Sequence, residues 1–176
     1  MGNRGKPKGP HRHHRGAPAS RSALLIDLEN MLFDDVHAGS WLGTAQTRWM
    51  LTAIVEAAGP VDYAVGVGAW PVLKHVLQCC AGGPAGVRLR QVPLGPDRAD
   101  QELVELANHL LGCGFGRLVV ASGDRRFAAV AAAAAESFVI ARPHSLSGAL
   151  RDAAGAHLLL DDARAATSPA AVLSHA

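Results

Sequence analysis

Short apolar runs alternate with longer segments of helical periodicity along most of the chain. The apolar runs have the length of buried strands and are bounded by Gly, Pro, Ser or Asp. They predict six strands, over residues 23–28, 61–68, 87–92, 117–122, 138–141 and 157–160. Between them, apolar residues recur every three or four positions, which predicts helices over residues 44–58, 70–81, 97–111, 124–136 and 145–154.

This alternation predicts an α/β fold, a three-layer αβα sandwich with a mostly parallel sheet. In such a fold the carboxyl ends of all parallel strands lie at one edge of the sheet, where ligands bind. The run 87–92 alternates apolar and basic residues, which is typical of an edge strand with Arg88 and Arg90 on its solvated face. Phe127 is expected to anchor the helix that follows residue 124 in the core, and Ser145 to cap the next helix.

The two ends of the chain differ from this pattern. Residues 1–21 are rich in Gly, Pro, His and Arg and contain no acidic residue. We expect a disordered basic arm over residues 1–21, a domain over residues 22–162 and a flexible tail over residues 163–176. Because the whole chain has a net charge of only +2, the domain is mildly acidic and the arm is strongly basic. This distribution favours a polyanionic partner such as a nucleic acid, contacted by Arg12 and Arg15.

Cysteine usage and hydropathy indicate the cellular compartment in which we expect the protein. Cys79, Cys80 and Cys113 form no C-x-x-C pair, so we expect neither a disulfide framework nor a zinc site. The basic start is not followed by the apolar segment of a secretory signal, and no apolar run approaches the ~20 residues that span a bilayer. We therefore expect a cytoplasmic protein without a membrane partner. The sequence is compatible with a homodimer and does not determine the oligomeric state.

Acidic residues cluster where predicted strands end. Asp27 and Asp124 follow strands, Asp97 and Asp100 begin the helix after another strand, and Asn30 lies three residues beyond Asp27. Carboxylates that meet at one edge of a sheet repel each other, and a divalent cation removes that conflict. Oxygen ligands favour Mg²⁺ or Mn²⁺ over zinc. Such a cation activates water and stabilises the charge that develops on a phosphodiester.

Each acid also has a purely structural interpretation. Asp27 is a common turn residue, and Asp124 is a good cap for the helix that follows it. Asp97 is expected to be the N-cap of its helix, with Asp100 at the third helical position as in a capping box. Asp97 is therefore predicted to cap, and Asp100 to bind a cation.

Three segments, in this order, resemble motifs of the NYN domain family, the PIN-like nucleases. Residues 25–30 resemble its opening strand, in which an Asp is followed three residues later by an Asn. Residues 99–103 resemble its acidic helix start, and residues 119–127 its Ser-Gly-Asp-x-Asp-Phe segment. Residues 139–143, 147–150 and 157–161 resemble the closing strand, helix and strand. The resemblance covers about residues 22–162.

The resemblance implies a metal-dependent endoribonuclease with a PIN-like fold. Asp27, Asp100 and Asp124 would hold Mg²⁺ or Mn²⁺, and Asn30 would position a ligand or water. The chain departs from the family at Arg126, where a second acid is usual. An arginine there removes a ligand from the metal centre, and together with Arg125 it could contact RNA phosphate.

Two other functions follow from the same residues. Because of Arg126, the domain could be a PIN-like module that binds RNA and cuts it weakly or no longer cuts it. A phosphohydrolase would use Asp27 as a nucleophile with Glu29 as the second acid, but no lysine stands in a matching phosphate-binding position. A dinucleotide-binding domain is excluded, because no G-x-G-x-x-G follows the first strand.

Overall fold

The computed structural model describes residues 21–34 and 40–161. The predicted tail, residues 163–176, and the predicted arm up to residue 20 lie outside this range, as do Arg12 and Arg15. The first strand begins at Arg21, one residue before the predicted start of the domain.

The elements follow one another in the order that the alternation predicts, with two additions. They are β1 (Arg21–Asp27), α1 (Leu28–Leu32), β2 (Phe33–Asp34), β3 (Ser40–Trp41), α2 (Thr44–Ala58), β4 (Tyr63–Ala69), α3 (Trp70–Cys79), β5 (Arg88–Val92), α4 (Arg98–Gly112), β6 (Phe115–Ala121), a 3₁₀ turn (Arg125–Phe127), α5 (Ala128–Ala133), β7 (Glu136–Ala141), α6 (Gly148–Ala153) and β8 (Ala156–Leu159). The additions are α1 and the small antiparallel pair of β2 and β3.

Six strands form one sheet in the order β5-β4-β1-β6-β7-β8, and every neighbouring pair is parallel. The core has two halves because β1 is buried on both faces. Leu24 and Ile26 pack with residues of α1, α2 and α3, whereas Ala23 and Leu25 pack with residues of α4, α5 and α6. The predicted three-layer αβα sandwich is confirmed.

The strand β1 lies in the middle of the sheet, and the chain adds strands first on one side of it and then on the other. After β1 the sheet extends through β4 to β5, and the chain then returns to β6 on the other side of β1. In a doubly wound sheet the helices cover opposite faces on the two sides of this reversal, which leaves a crevice beyond the carboxyl ends of the two central strands. Here that crevice lies after Asp27 of β1 and Ala121 of β6.

Several local predictions are confirmed. The helix bounds 44–58 match α2, β5 is an edge strand, and Phe127 is completely buried. Arg90 is not simply solvated, however, because it forms an ion pair of 2.7 Å with Glu102. In the range that the structure describes, no helix is long and apolar enough to cross a membrane.

The helix predicted over residues 145–154 begins later than expected. Its cap is Ser147, whose hydroxyl accepts a hydrogen bond from the Leu150 N–H at 3.3 Å, so Ser145 is not the cap. Ser145 instead closes a turn, with both its N–H and its hydroxyl donating to the Arg142 carbonyl at 3.1 and 3.2 Å. The Ala-rich helix predicted over 124–136 is also shorter, because it starts as a 3₁₀ turn and its last residue, Glu136, is already in β7.

Candidate metal and phosphate site

Asp27 lies at the centre of the crevice between β1 and β6. It ends β1 and caps α1: one carboxyl oxygen accepts a hydrogen bond from the Asn30 N–H at 3.1 Å. The other oxygen accepts from the Ser122 hydroxyl at 3.1 Å. Only 3% of Asp27 is exposed, and Ser122 is completely buried. The carboxyl group therefore joins the ends of the two central strands from within the protein.

The pKa of Asp27 is raised from 3.8 to about 8. Burial is the largest cause, because it removes the solvation of the charged form. The negative charge of Asp100 is the next cause, and a hydrogen bond between the two carboxyl groups adds to it. The hydrogen bonds from Asn30 N–H and Ser122 act in the opposite direction. Asp27 and Asp100 are therefore neighbours in the crevice, and their proximity, with burial, favours the protonated form of Asp27.

Asn30 binds the β6 side of the crevice. Its Oδ1 accepts a hydrogen bond from the Gly123 N–H at 2.9 Å, which fixes the orientation of the amide because only the oxygen can accept. This contact positions the loop after β6 against α1. The Nδ2 group is the end of the amide that can reach a ligand, so the predicted role of Asn30 in ligand binding stays a prediction.

Arg126 forms ion pairs with two acids of α4. Its Nη1 lies 2.8 Å from Asp100 Oδ2 and 2.5 Å from Asp97 Oδ1. These contacts raise the pKa of Arg126, Asp97 first among the causes, and the hydrogen bond from Arg126 lowers the pKa of Asp97. Arg126 thus places a positive charge between the two carboxylates at the start of α4.

Asp97 stands at the predicted N-cap position of α4, with Asp100 third in the helix, but the predicted capping by its side chain is wrong. Its backbone has a φ of 60°, in the left-handed region, and its side chain makes no capping hydrogen bond. In an N-cap the backbone is extended, which lets the side chain fold back onto the N–H groups of the first turn. With its left-handed backbone, Asp97 directs its side chain to the ion pair with Arg126 instead.

Asp124 lies on the β6 side of the same crevice. Its carboxylate accepts a hydrogen bond from the Arg126 N–H at 2.8 Å and so caps the 3₁₀ turn, in agreement with its structural interpretation. Its own N–H donates to the Ser122 hydroxyl at 3.2 Å, and Ser122 in turn donates to Asp27. Among residues 21–34 and 40–161, no three His, Cys, Asp or Glu side chains are arranged to hold a metal ion. Asp27 and Asp100 are brought together, and Asp124 is connected to them through Ser122.

Sequence reasoning missed three contacts of the site. Ser122 is the buried hydroxyl that connects Asp27 to Asp124, and its position between a buried strand and Gly123 was the available signal. Glu29 accepts a hydrogen bond from the Ala69 N–H at 3.0 Å, so it joins α1 to the end of β4. Arg126 pairs with α4 across 26 residues of sequence, for which the chain offers no local signal.

Gly123 allows the loop before α6 to pack on this crevice. Its carbonyl accepts a hydrogen bond from the Ser147 N–H at 2.9 Å, and a Cβ at this position would overlap the backbone carbonyl of Ser145. We expect Gly123→Ala to lower the free energy of unfolding by about 1–3 kcal/mol, the usual cost of overpacking. Urea denaturation measures this change.

The matched control for Gly123→Ala is Gly112→Ala. A Cβ at Gly112 meets no atom within 4 Å, and the residue ends α4. Because alanine is the better helix former, Gly112→Ala should leave the protein as stable as the wild type or slightly more stable. Equal stability of the two variants would contradict the packing proposed for Gly123.

Comparison with known proteins adds support for the fold alone. No protein-family model matches the chain, and no curated protein matches it. A solved structure of a protein of unknown function from Vibrio parahaemolyticus is similar, with a TM-score of 0.59 and 19% sequence identity. The similarity covers 81% of this chain and 94% of that chain. The αβα architecture therefore recurs in a protein of very different sequence.

Proposed function

We propose that this protein is a metal-dependent endoribonuclease that hydrolyses RNA phosphodiester bonds with Mg²⁺ or Mn²⁺. The observation that carries the proposal is the buried carboxyl group of Asp27 at the crevice between the central strands, hydrogen-bonded on both oxygens and raised in pKa by burial and by the neighbouring Asp100. Two neighbouring carboxyl groups favour a shared proton or a shared cation. Ligand sites of doubly wound sheets lie at this crevice.

We propose that this crevice holds one divalent cation. Mg²⁺ is usually bound by one or two carboxylates, with water and substrate phosphate as the remaining ligands. Asp27 and Asp100 would hold it from β1 and α4, and Asp124 is proposed to supply an oxygen from the β6 side. Bound there, the cation would lower the pKa of a water molecule and stabilise charge on the phosphate. An oxygen-only set of ligands favours Mg²⁺ or Mn²⁺ over zinc.

The surrounding residues prepare Asp27 for this role. Its side chain must lose a proton when a cation binds, because ligands bind in their deprotonated form. The Asn30 N–H and the Ser122 hydroxyl donate to its two oxygens and favour the carboxylate. Asn30 also holds Gly123, so the loop that carries Asp124 stays in register with α1.

RNA is the proposed substrate because of the basic residues and the resemblance to PIN-like nucleases. Arg125 and Arg126 are exposed beside the carboxylates, and the first 21 residues contribute six further basic side chains. A cation would compete with Arg126 for Asp100, and the guanidinium, which also pairs with Asp97, is proposed to bind a phosphate of the RNA. Arginine is suited to this role because its guanidinium binds phosphate oxygens in pairs.

The second candidate is an RNA-binding domain that does not cut. The observation that favours it is the ion pair of Arg126 with Asp97 and Asp100, since a guanidinium already neutralises one proposed metal ligand. Such a domain would bind RNA in a salt-dependent manner through its phosphates. It would bind equally well with Mn²⁺ and with EDTA, and it would give no cleavage product.

Incubation of the purified protein with a mixed RNA pool distinguishes the two functions. We expect cleavage with Mn²⁺ or Mg²⁺, none with EDTA, and a loss of about a hundredfold or more in Asp100→Asn, because a ligand of the cation is removed. The control is Asp152→Asn, which removes an exposed carboxylate of α6 that is paired with Arg151. Cleavage that persists in EDTA, or that Asp100→Asn leaves unchanged, would contradict the proposal.

A further inference from the structure

A groove of about 400 Å³ lies beside the carboxylates, at the same edge of the sheet. Its size is in the usual range of small-ligand sites, ~300–1,000 Å³. Aromatic and apolar side chains line it together with polar residues that belong to α1 and to the loop before α6. We call it the aromatic groove; the lining residues that matter are Glu29, Asn30, Phe33, Trp41, Pro71 and Leu94.

The aromatic walls of the groove are held in place before any ligand binds. Trp41 meets Phe33 edge to face, with ring centroids 5.4 Å apart and an angle of 85°. Trp41 also stacks on His75, at 6.2 Å and 25°. The carbonyl of Phe33 accepts a hydrogen bond from the buried Arg142. His75 covers one face of the indole, and the part of Trp41 that lines the groove is the surface we assign to a flat aromatic ligand.

Two polar side chains, adjacent in α1, offer an acceptor and a donor to the same groove. One carboxylate oxygen of Glu29 accepts from the Ala69 N–H at 3.0 Å, and Glu29 lines the groove, so its second oxygen is the acceptor that we assign to a ligand. Asn30 uses its Oδ1 for the Gly123 N–H, which makes its Nδ2 group the donor. A planar ligand with an N–H beside a ring acceptor is complementary to this pair.

We propose that the aromatic groove is a nucleobase-binding subsite, in which one unpaired base of an RNA strand stacks against Trp41 and donates an N–H group to Glu29. Nucleobases combine a flat π-face with adjacent donors and acceptors on their edge. Asn30 lines the groove and also joins α1 to Gly123, so the subsite adjoins the carboxylates. We place the phosphate that follows this base at Asp27, because Asn30 lines the groove and its backbone N–H donates to Asp27.

This inference rests on the proposed function and sharpens it, because a base in a duplex is already paired at its edge and stacked on its faces. The substrate is then single-stranded RNA or an unpaired loop, and duplex RNA is a poor ligand. Stacking on an aromatic side chain accepts any base, so the subsite selects unpaired strands over a particular sequence.

The test measures binding of a short labelled RNA by fluorescence anisotropy, in EDTA so that no strand is cut. We expect the single strand to bind at least about tenfold more tightly than the same sequence as a duplex. Trp41→Ala should weaken single-strand binding about tenfold, the usual effect of losing one stacked base. AMP and UMP should compete, and ribose 5-phosphate, which has no base, should not.

A second variant, Glu29→Gln, keeps the size of the side chain, so that a loss of RNA binding is not explained by unfolding. Glu29→Gln still accepts from the Ala69 N–H, but it turns an amide N–H group to the ligand where the carboxylate accepted one. It should weaken single-strand binding by about tenfold, since a charged acceptor is replaced by a donor. Glu105→Gln, which makes the same change on the exposed side of α4, is the control and should bind as the wild type does.

The outcomes separate this inference from the proposed function. Equal binding of single strand and duplex, or wild-type binding by Glu29→Gln, would overturn the subsite even if Mn²⁺-dependent cleavage is found. Base-dependent binding without any cleavage product would support the subsite and overturn the nuclease. Competition by ribose 5-phosphate as strong as that by AMP would show that the phosphate alone is recognised, and would also overturn the subsite.

Discussion

Asp27→Asn is expected to abolish metal-dependent RNA cleavage and at the same time to stabilise the protein at pH 8. The loss of cleavage, on the order of a hundredfold or more, follows from removing a charged ligand of the cation. The gain in stability follows from the raised pKa of Asp27, which means that the folded protein resists the ionisation of this group. Asparagine accepts the same hydrogen bond from the Asn30 N–H and stays neutral.

The sign of the pH dependence can be worked out from the two pKa values. The ordinary value is 3.8 and the folded value is about 8, so between them the folded chain holds a proton that the unfolded chain has released. The free energy of unfolding therefore falls as the pH rises through this window, by up to about 1.4 kcal/mol per pH unit from this group alone. The stabilising contribution is fully present below pH 4 and lost above pH 8.

Urea denaturation of wild type and Asp27→Asn at pH 5 and pH 8, without divalent cations, measures the effect. The variant should be more stable than the wild type at pH 8, and the difference should shrink at pH 5. Asp152→Asn, at an exposed carboxylate, should show the same pH dependence as the wild type. A variant less stable than the wild type at pH 8 would contradict the raised pKa, and a variant that still cleaves RNA would contradict the role of Asp27.

The fold could be predicted because its core elements have a clear periodicity. The helix α2 was predicted to the residue, since its apolar positions repeat over 15 residues and Gly59 ends it. The strands β1 and β6 are continuous apolar runs because both of their faces are covered by helices. The helix α1 could not be predicted in this way, because five residues are too few to show a helical period.

The candidate site could be predicted as far as its backbone is concerned. Asp27 and Asp124 follow parallel strands that become neighbours in the sheet, and Asp100 lies in the first turn of α4. The ionic contacts could not be predicted, since they depend on a left-handed residue at Asp97 and on the reach of a long arginine side chain. Arg126 stood out in the sequence as a departure from the resembled family, but its partners became evident only in three dimensions.

Ser145 and Ser147 show a limit of the same kind. Both are good capping residues, and the sequence pattern around them does not rank one above the other. The choice depends on Gly123. Its carbonyl accepts a hydrogen bond from the Ser147 N–H, and its lack of a side chain lets Ser145 pack directly against it. A contact between loops more than 20 residues apart thus determines where α6 begins.

Arg126→Asp is expected to increase the affinity for Mn²⁺ and to decrease the affinity for RNA. The substitution removes the guanidinium that pairs with Asp97 and Asp100 and introduces the acid that the resembled family has at this position. Each change makes the crevice more negative, so the concentration of Mn²⁺ that half-saturates the protein should fall by about tenfold. Without Mn²⁺ the variant should be less stable than the wild type, because neighbouring carboxylates repel each other.

Thermal unfolding with and without Mn²⁺, together with RNA binding at low salt, measures both effects. Mn²⁺ should raise the Tm of Arg126→Asp more than that of the wild type, since a ligand stabilises the state it binds. The control is Arg125→Asp, which makes the same change of charge at the neighbouring exposed position. It should lose RNA affinity without gaining Mn²⁺ affinity. If Mn²⁺ stabilises neither variant, the carboxylates bind no cation, and the RNA-binding domain without cleavage becomes the better explanation of Arg126.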